Sequence, residues 1–252
     1  MDKRLNELND HNVILTGYPG TGKSYTVAKF IDLCLYKGKK VVATASTGKA
    51  AVVLTEALEK LNVHKTCVTI HKFFGILDGR FSDDEMVELM FNDERYEKRK
   101  RELLETNVLI IDEVSMISKK TFEQVEHVSR AVKNNDRPFG GMQVVLCGDF
   151  YQLPPVPSPH YGDDGSYVFS SDLIDCFHHV DLTTVHRQRD EDLSRAISEV
   201  ARGQLKEDST FLLRRLARPL PPGDPPIHLY GNNLDVDIHN ARCLMDLEDP
   251  LA

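Results

Sequence analysis

Four apolar runs punctuate the first 150 residues: "NVILT" (12–16), "KKVVATAS" (39–46), "NVLIIDE" (107–113) and "QVVLCGD" (143–149). None alternates apolar with polar positions, as a strand with one wet face would. A near-continuous run is what a parallel strand needs when helices cover both faces. Between these runs the spacing becomes helical. Ser24 to Tyr36, "GKAAVVLTEALEKL" and the amphipathic "KKTFEQVEHVSRAVKNN" each follow a strand-like run. This alternation predicts a doubly wound α/β domain.

Residues 76–106 interrupt the rhythm with charged, helix-prone sequence, and are expected to form a small helical insertion or subdomain. After "HVDLTTVHRQRD" two further helices are predicted, "EDLSRAISEVARG" and "DSTFLLRRLA". The segment "RPLPPGDPP" (218–226) then places five prolines in nine residues, which neither a helix nor a central strand accepts. It reads as a linker between a domain of residues 1–217 and a remnant, 227–252. In that remnant "IHLYG" predicts a strand and "NNLDVDIHNARCLMDL" a helix. One βα unit is too short to be a domain.

Composition narrows the class. With 252 residues, 41 % hydrophobic and 28 % charged, the chain has the balance of a globular protein. The amino terminus "MDKRLNELND" has no apolar signal region, and no apolar run approaches the roughly 18 residues of a membrane span. Five cysteines without C-x-x-C spacing point to a reducing, intracellular setting with neither a disulfide frame nor a zinc site. The ten histidines form no H-E-x-x-H pattern; His178 and His179 are adjacent and read as structural. A net charge of −8 counts against holding duplex DNA by bulk electrostatics, yet leaves room for a narrow groove around a single strand. The basic run Lys98–Arg101 is flanked by glutamates and reads as the solvated face of a helix.

The chemistry begins at "GYPGTGKS", Gly17 to Ser24, between a strand and a helix. It fits G-x-x-x-x-G-K-[ST], the spacing of a phosphate-binding loop. Backbone N–H groups of Gly17, Pro19–Gly22 and the first helical turn as far as Tyr25 would surround a β-phosphate, proline excepted for want of a donor. Lys23 would reach the β- and γ-phosphates, and the Ser24 hydroxyl would hold Mg²⁺. A plain glycine turn accounts for Gly17 and Gly22 but not for Lys and Ser together. In "LIIDEVSM", Asp112 and Glu113 end a buried strand: one carboxylate suits the magnesium shell, the other the attacking water. The competing reading is a pair of acids capping the next helix. Parallel strands deliver their carboxyl ends to one edge. The tip of "VVLCGDFYQLPPV" should therefore stand beside these acids, with Gln152 able to touch both a γ-phosphate and a water.

These blocks, with "ATASTGKAA", "TIHKFFGI", "FGGMQVVLCGDFYQLPPV", "LTTVHRQ" and "LYGNNLDVDIHN", occur in the order seen in one group of motors. The chain resembles the petite-integration-frequency (Pif) family of RecD-like DNA helicases in superfamily one. That resemblance implies a RecA-like P-loop ATPase fold, ATP and Mg²⁺ as cofactors, and 5′→3′ movement on single-stranded DNA in repair, recombination or telomere maintenance. It implies that Lys23, Ser24, Asp112, Glu113 and Gln152 keep the roles argued above, and that Arg187 contacts the γ-phosphate. Thr47, Gly48, Thr69, His71 and Lys72 match segments that line the DNA path. Phe73 and Phe74 either stack on bases or belong to the core. Relatives work in nuclei and mitochondria, and the nucleus is favoured here in the absence of an Arg-rich presequence. The family's adenine-recognising glutamine has no counterpart in the sixteen residues before Gly17. The chain is also expected to stop before the second RecA-like domain, whose arginine completes the ATP site. The alternative from another class is therefore a nucleotide-dependent module that binds single-stranded DNA or a partner without motor action. A small P-loop kinase would leave "TIHKFFGI" and "GDFYQLPPV" without purpose.

Overall fold

The structure is a computed structural model that describes residues 11–186, 190–218 and 227–245. Its contacts divide the chain into two units, residues 1–213 and 214–252.

The first unit is built on a parallel sheet of six strands in the order β3-β2-β4-β5-β1-β6. The strands are β1 (Asn12–Gly17), β2 (Val41–Ala45), β3 (Val68–Thr69), β4 (Val108–Asp112), β5 (Gln143–Gly148) and β6 (Phe177–Leu182). Every pairing is parallel, with Val13 opposite Val145 and Ala45 opposite Asp112. Alternate residues of one strand feed opposite cores, which is why the apolar runs are unbroken. Val13, Leu15, Val108, Ile110, Val145 and Cys147 pack on one face against α1 (Lys23–Tyr36) and α2 (Gly48–Glu59). On the other face Ile14, Leu109, Ile111, Val144 and Leu146 pack with α3 (Ile70–Phe74), α4 (Asp83–Asn92), α5 (Glu97–Glu105) and α6 (Lys119–Lys133). Met86, Met90, Tyr96 and Leu103, all from the 76–106 stretch, belong to this second core. The helices after β6 are α7 (Glu191–Ala201) and α8 (Glu207–Leu216).

Local chemistry sets where the helices start. Thr47, Thr69, Ser82, Ser118 and Asp190 each turn a side-chain oxygen onto a first-turn N–H, removing one orphan donor apiece. Ser82 and Glu85 complete a reciprocal capping box.

Two strands lack the apolar signature. β3 is two residues long, and β6, with His178, His179 and Asp181 exposed, pairs only with β1. Each is short or half wet, so no continuous run marks it. Conversely, Ile227–Tyr230 of "IHLYG" enters no ladder among the described residues. Its main chain finds no neighbouring strand there, so the expected strand is absent. The expected helix after it forms as α9 (Asn233–Met245), within the second unit.

Candidate nucleotide-binding and hydrolysis site

The phosphate loop is wrapped around its own carbonyl groups. Lys23 is buried, and its Nζ donates to Gly17 O at 2.7 Å and Tyr18 O at 3.3 Å. Thr21 Oγ1 donates to the same Tyr18 carbonyl at 2.8 Å. Gly22, at φ 88°, begins α1 in the left-handed region, where a Cβ is strained. At Gly17 (φ 154°) the backbone disfavours a side chain too, and there is no room for one: a Cβ would lie 2.6 Å from Leu182 O of β6 and 2.7 Å from Thr21 Oγ1. The loop therefore sits close against the edge strand. A second tie comes from His186, whose N–H donates to Gly20 O at 2.7 Å. Pro19 and Ser24 are half-buried, and Tyr25 is exposed on the first turn of α1.

The acids stand two strands away, at the end of β4. Asp112 is 3 % exposed, and Oδ1 accepts the Glu113 N–H at 3.0 Å. Burial pushes its carboxyl above the usual range, opposed by hydrogen bonds from the Cys147 thiol and the Glu113 amide and by the Lys23 charge. Glu113 occupies the left-handed region (φ 53°, ψ 46°), which costs a non-glycine residue about 1 kcal/mol or more and turns the chain sharply after the strand.

At the end of β5 a tight turn aims Gln152. Asp149, buried, accepts from Tyr151 N at 3.0 Å and from Gln152 Nε2 at 3.3 Å, while its carbonyl accepts from Gln152 N at 3.0 Å. The amide on the polar tip is thus presented by a small hydrogen-bonded frame ahead of Pro154 and Pro155. One cavity, of about 260 Å³, is lined by Ser24, Asp112, Glu113 and Gln152 together, with Thr47, Lys49 and Ser115 on its walls. Its oxygen donors, a serine hydroxyl and a buried carboxylate, suit a hard cation that takes its remaining ligands from phosphate and water. Among the described residues there is no cluster of three His, Cys, Asp or Glu side chains able to hold a metal without a nucleotide.

A larger cavity, about 490 Å³, opens beside Gly17 and Tyr18 over β1 and β6, with aromatic walls. It contains neither Asp112 nor Glu113, so the smaller cavity is the one that gathers the residues expected from the sequence.

The five residues matched to the DNA path follow β2 and β3, across the sheet from the phosphate loop, and Thr47 among them also lines the smaller cavity. β2 and β3 are neighbours, so Thr47 and Gly48 after one and Thr69, His71 and Lys72 after the other share an edge. Thr47 Oγ1 accepts from Ala50 N at 3.2 Å and Thr69 Oγ1 from Lys72 N at 3.1 Å, so both oxygens cap a helix while each hydroxyl keeps its own proton to donate. Lys72 is exposed. His71 is half-buried, and burial lowers its pKa. Phe73 and Phe74 are 7 % and 0 % exposed and belong to the core, which decides between the two readings of that pair. The basic run lies on α5, where Arg99 Nε donates to Lys72 O at 3.2 Å. Arg187 lies outside the described residues.

Sequence reasoning missed a stack that joins three distant segments. Tyr18, in the phosphate loop, lies over Tyr151 with ring centroids 5.8 Å apart and planes 19° apart. Arg202, just after α7, sits 5.4 Å from the Tyr18 ring and donates Nε to its hydroxyl at 2.8 Å. Tyr18 is at a position the motif leaves open, so spacing gives no signal for it.

A PIF1-like helicase family model matches residues 2–213. The ATP-dependent DNA helicase PIF1 of Emericella nidulans is 35 % identical over 237 residues, covering 91 % of this chain and 30 % of that protein. The ATP-dependent DNA helicase RRM3 of Saccharomyces cerevisiae is 33 % identical over 250 residues, covering 95 % of this chain and 32 % of its own length. The crystal structure of Pif1 helicase from Candida albicans superposes with a TM-score of 0.83 at 29 % identity, over 99 % of this chain and 54 % of that one. Pif1 helicase from Bacteroides, in complex with ADP-AlF3 and single-stranded DNA, superposes with a TM-score of 0.80 at 28 % identity, over 98 % of this chain and 57 % of that one. The chain spans about a third of the length of these curated relatives.

Proposed function

The chain belongs to the PIF1-like helicase family, and from that premise we propose that residues 1–217 are the first RecA-like domain of a DNA helicase. Its reaction is Mg-ATP hydrolysis coupled to 5′→3′ movement on single-stranded DNA, within a nucleus or an organelle that holds DNA. The observation that supports this most is the single cavity shared by Ser24, Asp112, Glu113 and Gln152, which are supplied by three separate blocks of sequence. Hydrolysis of a triphosphate needs these groups to converge.

Lys23 would exchange its carbonyl partners for β- and γ-phosphate oxygens, neutralising charge as the terminal bond lengthens. Ser24 and Asp112 would hold Mg²⁺, which when bound offsets phosphate charge. Glu113 would accept a proton from the attacking water, or orient it. Gln152, released from Asp149, would contact the γ-phosphate and that water together. The His186–Gly20 hydrogen bond pins the start of the segment leading to Arg187 onto the phosphate loop, consistent with the γ-phosphate role proposed for that arginine. Thr47, Gly48, Thr69, His71 and Lys72 are proposed to contact the backbone of a strand crossing the β2–β3 end, where they would position it without reading sequence.

The test is nucleotide binding and steady-state hydrolysis with and without an oligothymidine strand. Mg-dependent ATP binding and DNA-stimulated turnover are expected. Lys23→Ala should abolish nucleotide binding. Gln152→Ala should keep affinity within a fewfold while slowing turnover by roughly 10², the scale for losing one preorganised donor. Binding of DNA modulated by ATP, with no turnover, would reduce the chain to a nucleotide-dependent binding module. No DNA binding and no stimulation would defeat the proposal.

A further inference from the structure

Among the described residues, Ser115 lines the cavity shared by Ser24 and Asp112 and carries a buried hydroxyl for which no protein group supplies a hydrogen bond. It is 1 % exposed, in the single 3-10 turn Val114–Met116 that follows the sharp bend at Glu113. Folded proteins leave few such groups unpaired, since each forfeits its water without replacement. Nor can the turn draw back to relieve it. A Cβ on Gly148 of β5 would lie 3.0 Å from Val114 N and 3.4 Å from Ser115 N, so the strand end is packed directly behind the turn. Ser115 thus shares a cavity wall with Asp112 while its hydroxyl has no protein partner.

We propose that Ser115 is a positioning residue for the hydrated magnesium of a bound nucleotide, its Oγ accepting a hydrogen bond from that hydration shell. The inference rests on the nucleotide site proposed above. Magnesium gives up its water reluctantly, so a site offering one hydroxyl and one carboxylate leaves several waters in place, all strong donors in need of acceptors. Ser115 supplies such an acceptor from a fixed backbone, and outer contacts of this kind govern metal affinity as well as the direct ligands do.

The experiment is calorimetric titration of the slowly hydrolysed analogue ATPγS into the full chain, with Mg²⁺ and with EDTA, alongside thermal melts. Ser115→Ala removes one atom that bonds to nothing in the protein. Its melting temperature should equal or exceed that of the parent, and its EDTA affinity should match the parent's within about twofold. Its gain in affinity on adding Mg²⁺ should fall by about tenfold. A full magnesium gain in the variant overturns the inference while leaving the nucleotide site intact. An equal loss with and without Mg²⁺ also overturns it, because the hydroxyl would then touch the nucleotide itself. A lower melting temperature combined with weaker EDTA binding would show a structural role instead. If the parent chain shows no magnesium gain at all, the nucleotide reading fails first and this inference falls with it.

Discussion

Asp112 carries a cost that its neighbours only partly relieve. Burial lifts its pKa, so in the window above an ordinary carboxylate pKa the folded chain binds the proton more tightly than the unfolded chain. Stability should then fall as pH rises through that window, since the proton-rich state is the folded one. Asp112→Asn should melt a few degrees higher than the parent at neutral pH and lose that part of the pH slope, while Mg-dependent nucleotide binding disappears. Melts followed upward from an ordinary carboxylate pKa, about 4, check the slope; an unchanged or lower melting temperature for the asparagine variant refutes the account. That Ser24, Asp112, Glu113 and Gln152 would meet was readable in advance, because their blocks sit at the carboxyl ends of strands in one parallel sheet, and one cavity is lined by all four. Ser115 was not, because "DEVSM" says nothing about whether a serine finds a partner. Nor was the Cys147 thiol on Asp112. Both depend on how β4 and β5 pack side by side.

At the scale of elements, the phosphate loop depends on an edge strand that the sequence did not advertise. β6 was illegible because one side of it is wet, so its residues mix histidine and aspartate with apolar ones. Its backbone nonetheless fixes Gly17. Placing a methyl group 2.6 Å from Leu182 O must push β6 or the loop aside, since the obstacle is main chain. Gly17→Ala should destabilise the fold by about 1–3 kcal/mol, the range for forced overpacking, and weaken nucleotide binding; denaturant titration measures the first effect. The Tyr18–Tyr151 stack carries a different prediction. It places the phosphate loop directly against the turn that presents Gln152, so the two should move together. The chain contains no tryptophan, which makes Tyr151→Trp a clean reporter. Its emission should differ between ATPγS and ADP, and Tyr18→Ala should abolish that difference while Tyr18→Phe retains it. Identical emission with both nucleotides would show that the stack does not sense the terminal phosphate.

For the molecule as a whole, the distribution of buried residues makes the last prediction. The sheet and both hydrophobic cores are built from residues before Leu213. In the second unit, among the described residues, Ile227 and Leu229 are each 92 % exposed and α9 contributes no buried side chain. Apolar burial is what opposes the entropy of ordering a chain, so the first unit contains its own stabilising term and the second adds little. A chain cut after Ala217 should therefore melt within a few degrees of the 252-residue protein and bind Mg-ATPγS with the same affinity. The 217-residue and 252-residue chains should also hydrolyse ATP at the same rate. A cut chain that melts far lower would assign residues 218–252 a structural role in the first unit.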